Sequence, residues 1–171
     1  MKPRRILVLA LVAVSVGGLG VAGLVDFTPA FVWNASASAA LGLYRIETRA
    51  PRIGDFVLVK PDARLEEFII SRGYLPENTP LLKRVAVLSG AKICREETAI
   101  FIDGSPVAEA LRFDSEGREM PVWQGCFSLS DDEVFLLNSP ANSLDGRYFG
   151  TTKITQVIGV AIPVLTWERD R

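Results

Sequence analysis

The sequence contains no histidine. That absence removes the Ser-His-Asp triad, the Cys-His proteases and any zinc site built on imidazole ligands. Only two cysteines are present, too few within one chain for a four-cysteine metal site or a cysteine-ligated iron–sulfur cluster. Charge of one sign is also missing. The 19 Lys+Arg and 20 Asp+Glu residues leave a net charge of −1, so no basic surface for nucleic acid is expected. There is no internal repeat and no low-complexity tract. Acid–base chemistry must therefore run on Lys, Asp, Glu, Tyr, Ser or Cys, and no pattern of residues calls for a metal or a cofactor.

Apolar residues are abundant, 49% of 171, and they are unevenly spread. Residues 6–25 read ILVLALVAVSVGGLGVAGLV without one charge. At about 1.5 Å per residue such a run crosses a hydrocarbon core of about 30 Å. Lys2, Arg4 and Arg5 precede it and Asp26 follows. The positive-inside rule then leaves the N-terminus in the cytoplasm and carries the rest across. The expected organisation is a cytoplasmic N-terminus over 1–5, a transmembrane anchor over 6–25 and an exported domain over 26–171. A cleaved signal peptide is the competing reading. Its apolar core usually spans about 7–15 residues, shorter than this run, although small residues near Ala22 and Ala35 would suit cleavage.

Beyond the apolar run the chain reads mainly as β. Residues 55–60, 81–88, 99–102, 133–137 and 154–165 are strand candidates. Asp103-Gly104 is a hairpin signal leading into 105–107. Residues 64–72 suit a short helix, and the more polar stretches 62–80 and 108–125 suit excursions from a sheet. Cys94 and Cys126 both fall in the exported part. An even pair in an oxidising compartment usually forms a disulfide, here closing a loop of about 33 residues and stabilising by roughly 3–4 kcal/mol. A cysteine nucleophile is the alternative, but with no histidine it would need another base.

Three stretches carry candidate chemistry. In the β run over 80–88, alternation puts Lys83 on one face with Leu81, Val85 and Val87, and Arg84 on the other. A lysine among aliphatic neighbours is desolvated, which lowers its pKa and lets it serve as a general base. On an edge strand it would instead snorkel to water. The stretch 34–44, NASASAALGLY, sets serines among alanines, where a substrate backbone could approach closely; a plain juxtamembrane linker would look much the same. The stretch 142–150, NSLDGRYFG, spaces Ser143, Asp145 and Arg147 so that an extended segment would point all three the same way, unless it is only a polar turn.

Taken in order, these stretches resemble the type I signal peptidases, in particular the short TraF-like peptidases of conjugative transfer systems. Asn34, Ser36, Ser38, Gly42, Leu43 and Tyr44 match the family's N-x-S-x-S-M-P-x-G-L-Y box. Gly54, Asp55 and Val57 match its G-D-x-V strand, and Lys83-Arg84-Val85 its K-R-V box. Asn142, Ser143, Asp145, Arg147, Phe149 and Gly150 match N-S-x-D-S-R-x-(W/F)-G. Some positions depart from the pattern. Ala39 and Ala40 replace Met-Pro, which implies a less rigid loop; residues 89–91 replace P-G-D; and Gly146 replaces a serine.

The resemblance implies a mainly β, signal-peptidase-like fold of coiled antiparallel sheets behind one N-terminal transmembrane helix. It makes Ser38 the nucleophile and neutral Lys83 the general base of a Ser/Lys dyad, which fits the absence of histidine. The Ser38 N–H and the Ser36 hydroxyl would form the oxyanion hole. Ser143 would orient the Lys83 amine, and Asp145 paired with Arg147 would support it. The substrate side would accept small residues at −1 and −3. The implied protein is a serine endopeptidase of the bacterial inner membrane with a periplasmic catalytic domain. Its partners would be the membrane, a precursor with a leader peptide such as a conjugative pilin, and conjugation or type IV secretion components. In that family pilin maturation can include joining the chain ends into a ring. A general leader peptidase and a non-catalytic periplasmic scaffold of a secretion system are the alternatives. The short chain and the Gly-Leu-Tyr ending speak against the first, and the retained Ser38, Lys83, Ser143 and Asp145 against the second.

Overall fold

The computed structural model describes Arg4, Val8, residues 11–14 and residues 28–168. The anchor expected over 6–25 lies largely outside these. Val8 and residues 11–14 are helical and exposed. Among the described residues no helix is long and apolar enough to cross a membrane.

The chain from residue 28 onward is mainly β and forms two curled antiparallel sheets. The larger contains β1 (Phe31–Asn34), β2 (Leu41–Glu47), β3 (Phe56–Val59), β4 (Leu81–Val87), β9 (Glu133–Leu136), β10 (Thr152–Lys153) and β11 (Val157–Trp167), in the order β1-β2-β11-β3-β4-β9-β10. The smaller contains β5 (Lys92–Glu96), β6 (Ala99–Ile102), β7 (Ser105–Glu109) and β8 (Gly125–Ser128), in the order β7-β6-β5-β8. Runs of β-branched and aromatic residues such as FVLV in β3 and EVFL in β9 favour this pleated, half-buried state. The long β11 changes register between Pro163 and Leu165 and again between Val157 and Gly159. Such irregularities bend a strand; β11 lies between β2 and β3 and pairs with both.

Alternation along β9 ties the sheets together. Val134 and Leu136 pack with Val57, Val59, Val85 and Val160. Phe135 points the other way and packs with Ala91, Ile93, Ile100 and Leu129 of the smaller sheet and its flanks. Burying each large aliphatic or aromatic side chain is worth about 1.5–3 kcal/mol. Cys94 and Cys126 are cross-strand neighbours on β5 and β8 and form the disulfide. Residues 62–80 leave the sheet through helix α1 (Ala63–Ser71). Its N-terminus is capped by Asp62, whose Oδ1 accepts from the Leu65 N–H at 2.8 Å.

Residues 154–165 hold the one expected strand, but it starts at Val157, after a 3-10 turn over Ile154–Gln156, and runs on to Trp167 as β11. One expectation is corrected: residues 142–150 are not extended. The Asp145 carboxylate accepts from the Arg147 N–H and caps a short helix, α2 (Gly146–Phe149), so Ser143 and Asp145 address different partners.

Candidate active site

The loop between β1 and β2 carries the two serines, and Asn34, the last residue of β1, builds it. The Asn34 Nδ2 donates to the carbonyls of Ser36 (3.0 Å), Ala39 (3.2 Å) and Ala40 (2.9 Å). Its Oδ1 accepts from the Ser36 N–H (3.1 Å) and the Ser36 hydroxyl (2.9 Å). The Tyr44 hydroxyl adds a second bond to the Ala40 carbonyl at 2.8 Å. Ala39-Ala40 therefore does not leave the loop loose, because side chains at either end hold its carbonyls. Gly42 closes the turn. Its φ is +127°, and a Cβ there would lie 2.1 Å from the Leu165 carbonyl oxygen of β11.

Ser36 and Ser38 lie 3.0 Å apart, oxygen to oxygen. The Ser36 hydrogen is given to Asn34, so Ser38 is the donor in this contact. Ser38 thus bonds Ser36 rather than Lys83.

Lys83 sits in the middle of β4, between β3 and β9, and pairs across the sheet with Val57. It is 5% exposed. The edge-strand alternative is thereby excluded. Its Nζ donates to the Ser143 hydroxyl at 3.1 Å. Burial drives the Lys83 pKa down to about 8, partly offset by the charge of Asp145, while Arg147 pushes further downward.

Asp145 and Arg147 form a fully buried ion pair, with Nη2 to Oδ2 at 2.8 Å and Nε to Oδ1 at 2.9 Å. They reach Lys83 through Asn138, a residue that sequence reasoning passed over. The Asn138 N–H donates to Asp145 Oδ2 at 2.9 Å, and its carbonyl accepts from Arg147 Nη2. Its side chain then takes the place of a strand neighbour beside β4. Asn138 Oδ1 accepts from the Arg84 N–H (2.8 Å) and Nδ2 donates to the Leu82 carbonyl (3.2 Å). The peptide groups on both sides of Lys83 are thus gripped by one buried amide. The only sequence signal for this was an asparagine just after an apolar strand.

Ser36, Ser38, Lys83 and Ser143 line one cavity of about 600 Å³, with Leu58, Leu75, Leu111 and Met120 among its apolar walls. Its outer wall joins the two excursions. Asp114 accepts from the Tyr74 hydroxyl (2.6 Å) and from Arg118 Nε (2.7 Å), and pairs with Arg72 at 3.4 Å. Burial alone would raise the Asp114 carboxyl, but bonds from Tyr74 and Arg118 hold it well below the usual carboxylate range. Asp55 stands apart from the cavity. It takes Arg49 at 2.7 and 3.0 Å and the Arg52 N–H at 2.8 Å, and so fixes the corner before β3. Among the described residues no group of three or more Cys, Asp or Glu side chains is arranged to hold a metal ion.

A family model described as signal peptidase, peptidase S26, matches residues 4–167. A conjugal transfer protein TraF from Agrobacterium fabrum is 36% identical over 169 residues, covering 88% of this chain and 94% of the relative. A plasmid transfer protein TraF from Escherichia coli is 31% identical over 140 residues, covering 79% of this chain and 76% of the relative. The crystal structure of a signal peptidase I from Enterococcus faecalis covers 67% of this chain and 98% of its own at 19% identity, with a TM-score of 0.39.

Proposed function

This chain belongs to the signal peptidase family, peptidase S26, in its TraF-like branch, and on that premise we propose that it is a membrane-anchored serine endopeptidase that removes leader peptides from exported precursors of a conjugative transfer system, a pilin foremost. The observation that carries the reading is the buried amine of Lys83, lowered to about 8, in the same cavity as Ser38.

The Ser38 Oγ turns from Ser36 and attacks the scissile carbonyl while neutral Lys83 takes its proton. The oxygen–carbon bond forms, the carbon–nitrogen bond breaks, and the proton passes to the departing amine. Lys83 then activates water, which frees the leader from Ser38. Ser143 keeps Nζ aimed, and Asn138, braced by Asp145 and Arg147, keeps the strand beneath it fixed. The Ser38 N–H and the Ser36 hydroxyl, released from Asn34, stabilise the oxyanion. One such donor is typically worth about 2.7–4 kcal/mol. The apolar cavity suits a leader.

The anchor is residues 6–25, with the catalytic domain on the periplasmic side. Phe31, Trp33, Leu165 and Trp167 support that placement. They are exposed, and Trp33 and Trp167 meet edge to face at 5.6 Å. Amphipathic rings of this kind suit a membrane–water boundary.

The test is precursor cleavage in membranes. Candidate pilin precursors are co-expressed with the intact chain, Ser38→Ala and Lys83→Ala, and the released leader is followed by mass spectrometry. Cleavage by the intact chain alone is expected. Cleavage that survives Lys83→Ala overturns the dyad.

A further inference from the structure

A second cavity of about 450 Å³ opens on the other side of the nucleophile loop. Ser38 is the one residue lining both cavities. The second differs in character, because Arg84, Asn138, Ser139 and Glu168 contribute to its wall beside Phe56. Neighbouring residues of a strand face opposite ways. β4 therefore presents the Lys83 amine to the first cavity and the Arg84 guanidinium to the second.

Arg84 is held in place without being used up. Its N–H is bound by Asn138 Oδ1 at 2.8 Å, and its carbonyl accepts from the Leu137 N–H at 2.9 Å. Its guanidinium lies 4.9 Å from the centre of the Phe56 ring. Among the described residues its side chain makes neither an ion pair nor a hydrogen bond, although Glu168 lines the same cavity. Two opposite charges held apart give the cavity a direction, with the end beside Arg84 favouring an anion.

We infer that the second cavity is the subsite for the chain that follows the scissile bond, and that Arg84 recognises a carboxylate there. This rests on the function proposed above. If the leader fills the apolar cavity and its last carbonyl meets Ser38, the chain beyond that carbonyl has to leave past Ser38 into the second cavity. A planar guanidinium with five N–H donors is matched to a carboxylate. That group is either an acidic side chain a few residues past the scissile bond or the terminal carboxylate of a short departing segment.

The test uses the full chain in membranes. The probe is an apolar leader ending in Ala-x-Ala fused to a small reporter, with one Asp or one Gln at each of the first four positions after the cleavage point. A second probe pair ends four residues after that point, either as the free acid or as the amide. An exposed guanidinium–carboxylate contact is screened, so the preferred acid is expected to be cut about three- to fivefold faster than its neutral partner at low salt, with the preference shrinking as salt rises. Preference within the fusion set identifies a side-chain carboxylate, and preference within the short pair identifies the chain end. The acid-to-neutral ratio should fall to about one in Arg84→Gln, persist in part in Arg84→Lys, and invert towards Lys-bearing probes in Arg84→Glu. Equal rates for acid and neutral probes in the intact chain, or a preference that survives Arg84→Gln, overturn the inference while leaving the peptidase reading standing. Absence of any cleavage that depends on Ser38 overturns the peptidase reading and the subsite with it.

Discussion

Lys83 lowers stability where it sits. Its pKa falls from 10.5 in the open to about 8 in the fold, so at neutral pH the folded chain holds an amine in a place that disfavours its charge. Converted at about 1.4 kcal/mol per unit, the penalty is about 3 kcal/mol below pH 8. It shrinks as pH rises from 8 to 10.5, where only the unfolded chain still binds the proton, and it vanishes above. Lys83→Met, which keeps the volume and removes the charge, is therefore expected to stabilise the domain by about 2–3 kcal/mol at pH 7 and by nothing near pH 11, while ending cleavage. Chemical denaturation at both pH values measures this. The same pKa sets the pH profile. On the proposed mechanism Lys83 acts as the neutral amine, so kcat/KM should rise about tenfold per pH unit below 8 and level off above. Asn34 is the other residue whose loss is costly. Asn34→Ala leaves the Ser36 and Ala39 carbonyls without their side-chain donor and the Ser36 N–H without its acceptor, while Ala40 keeps Tyr44; with the loop no longer held, kcat should drop by about 100-fold or more. Asn34→Asp, which sets a carboxylate oxygen against those carbonyls in place of the donor, should recover none of that loss; steady-state kinetics on both variants decides it.

At the scale of elements, α2 shows why Gly146 stands where the family carries serine. A Cβ at Gly146 would lie 2.7 Å from the Phe135 ring and 2.8 Å from the Leu136 carbonyl oxygen. Gly146→Ser is thus expected to lower stability by about 1–3 kcal/mol through overpacking, and to reduce activity by moving the capped turn that Asp145 and Arg147 anchor. A denaturant titration reads the first and leader cleavage the second. This clash lies between residues that are not neighbours in sequence, which is why no local reading of 142–150 could foresee it. What was legible was local. Strands over 56–59, 81–87, 99–102 and 133–136 announce themselves by aliphatic runs, and α1 by its Asp62 cap. Of the strands that escaped notice, β1, β8 and β10 are short and stand at sheet edges, while β2 and β5 are mixed in polarity, as in LGLYRIE and KICRE. Ser38, Lys83, Ser143, Asp145 and Arg147 were legible as family boxes, whereas Asn138 was not. Its role comes from where the β4–β9 pairing ends, at Val85 opposite Leu136, because just past that end its amide bonds the Arg84 N–H and the Leu82 carbonyl. Where two strands part leaves no mark in composition.

On the proposed function the whole molecule faces a problem of address, since a leader held in a bilayer would have to meet Ser38 at a fixed height. The Trp33–Trp167 pair joins β1 to the end of β11, and both rings are about half exposed, at 57% and 47%. Phe31 and Leu165 extend the same apolar edge. Trp33 also lines the cavity that holds Ser38 and Lys83. Contact of this edge with the membrane surface would therefore set the cavity mouth against the interface, where a leader emerges. The third tryptophan, Trp123, is partly buried against Phe127 and Phe135, so Trp123→Phe leaves a reporter specific to the edge. In vesicles containing lipids brominated near the headgroup, Trp33 and Trp167 of that variant should be quenched, whereas lipids brominated at the bilayer centre should have little effect. A further change of Trp33 and Trp167 to Ser should raise KM for a membrane-embedded precursor by about five- to tenfold with kcat largely kept, and should have far less effect on the same precursor in detergent. Emission that ignores both kinds of brominated lipid would show the edge facing water, and the catalytic cavity would then have to receive its substrate from some distance above the bilayer.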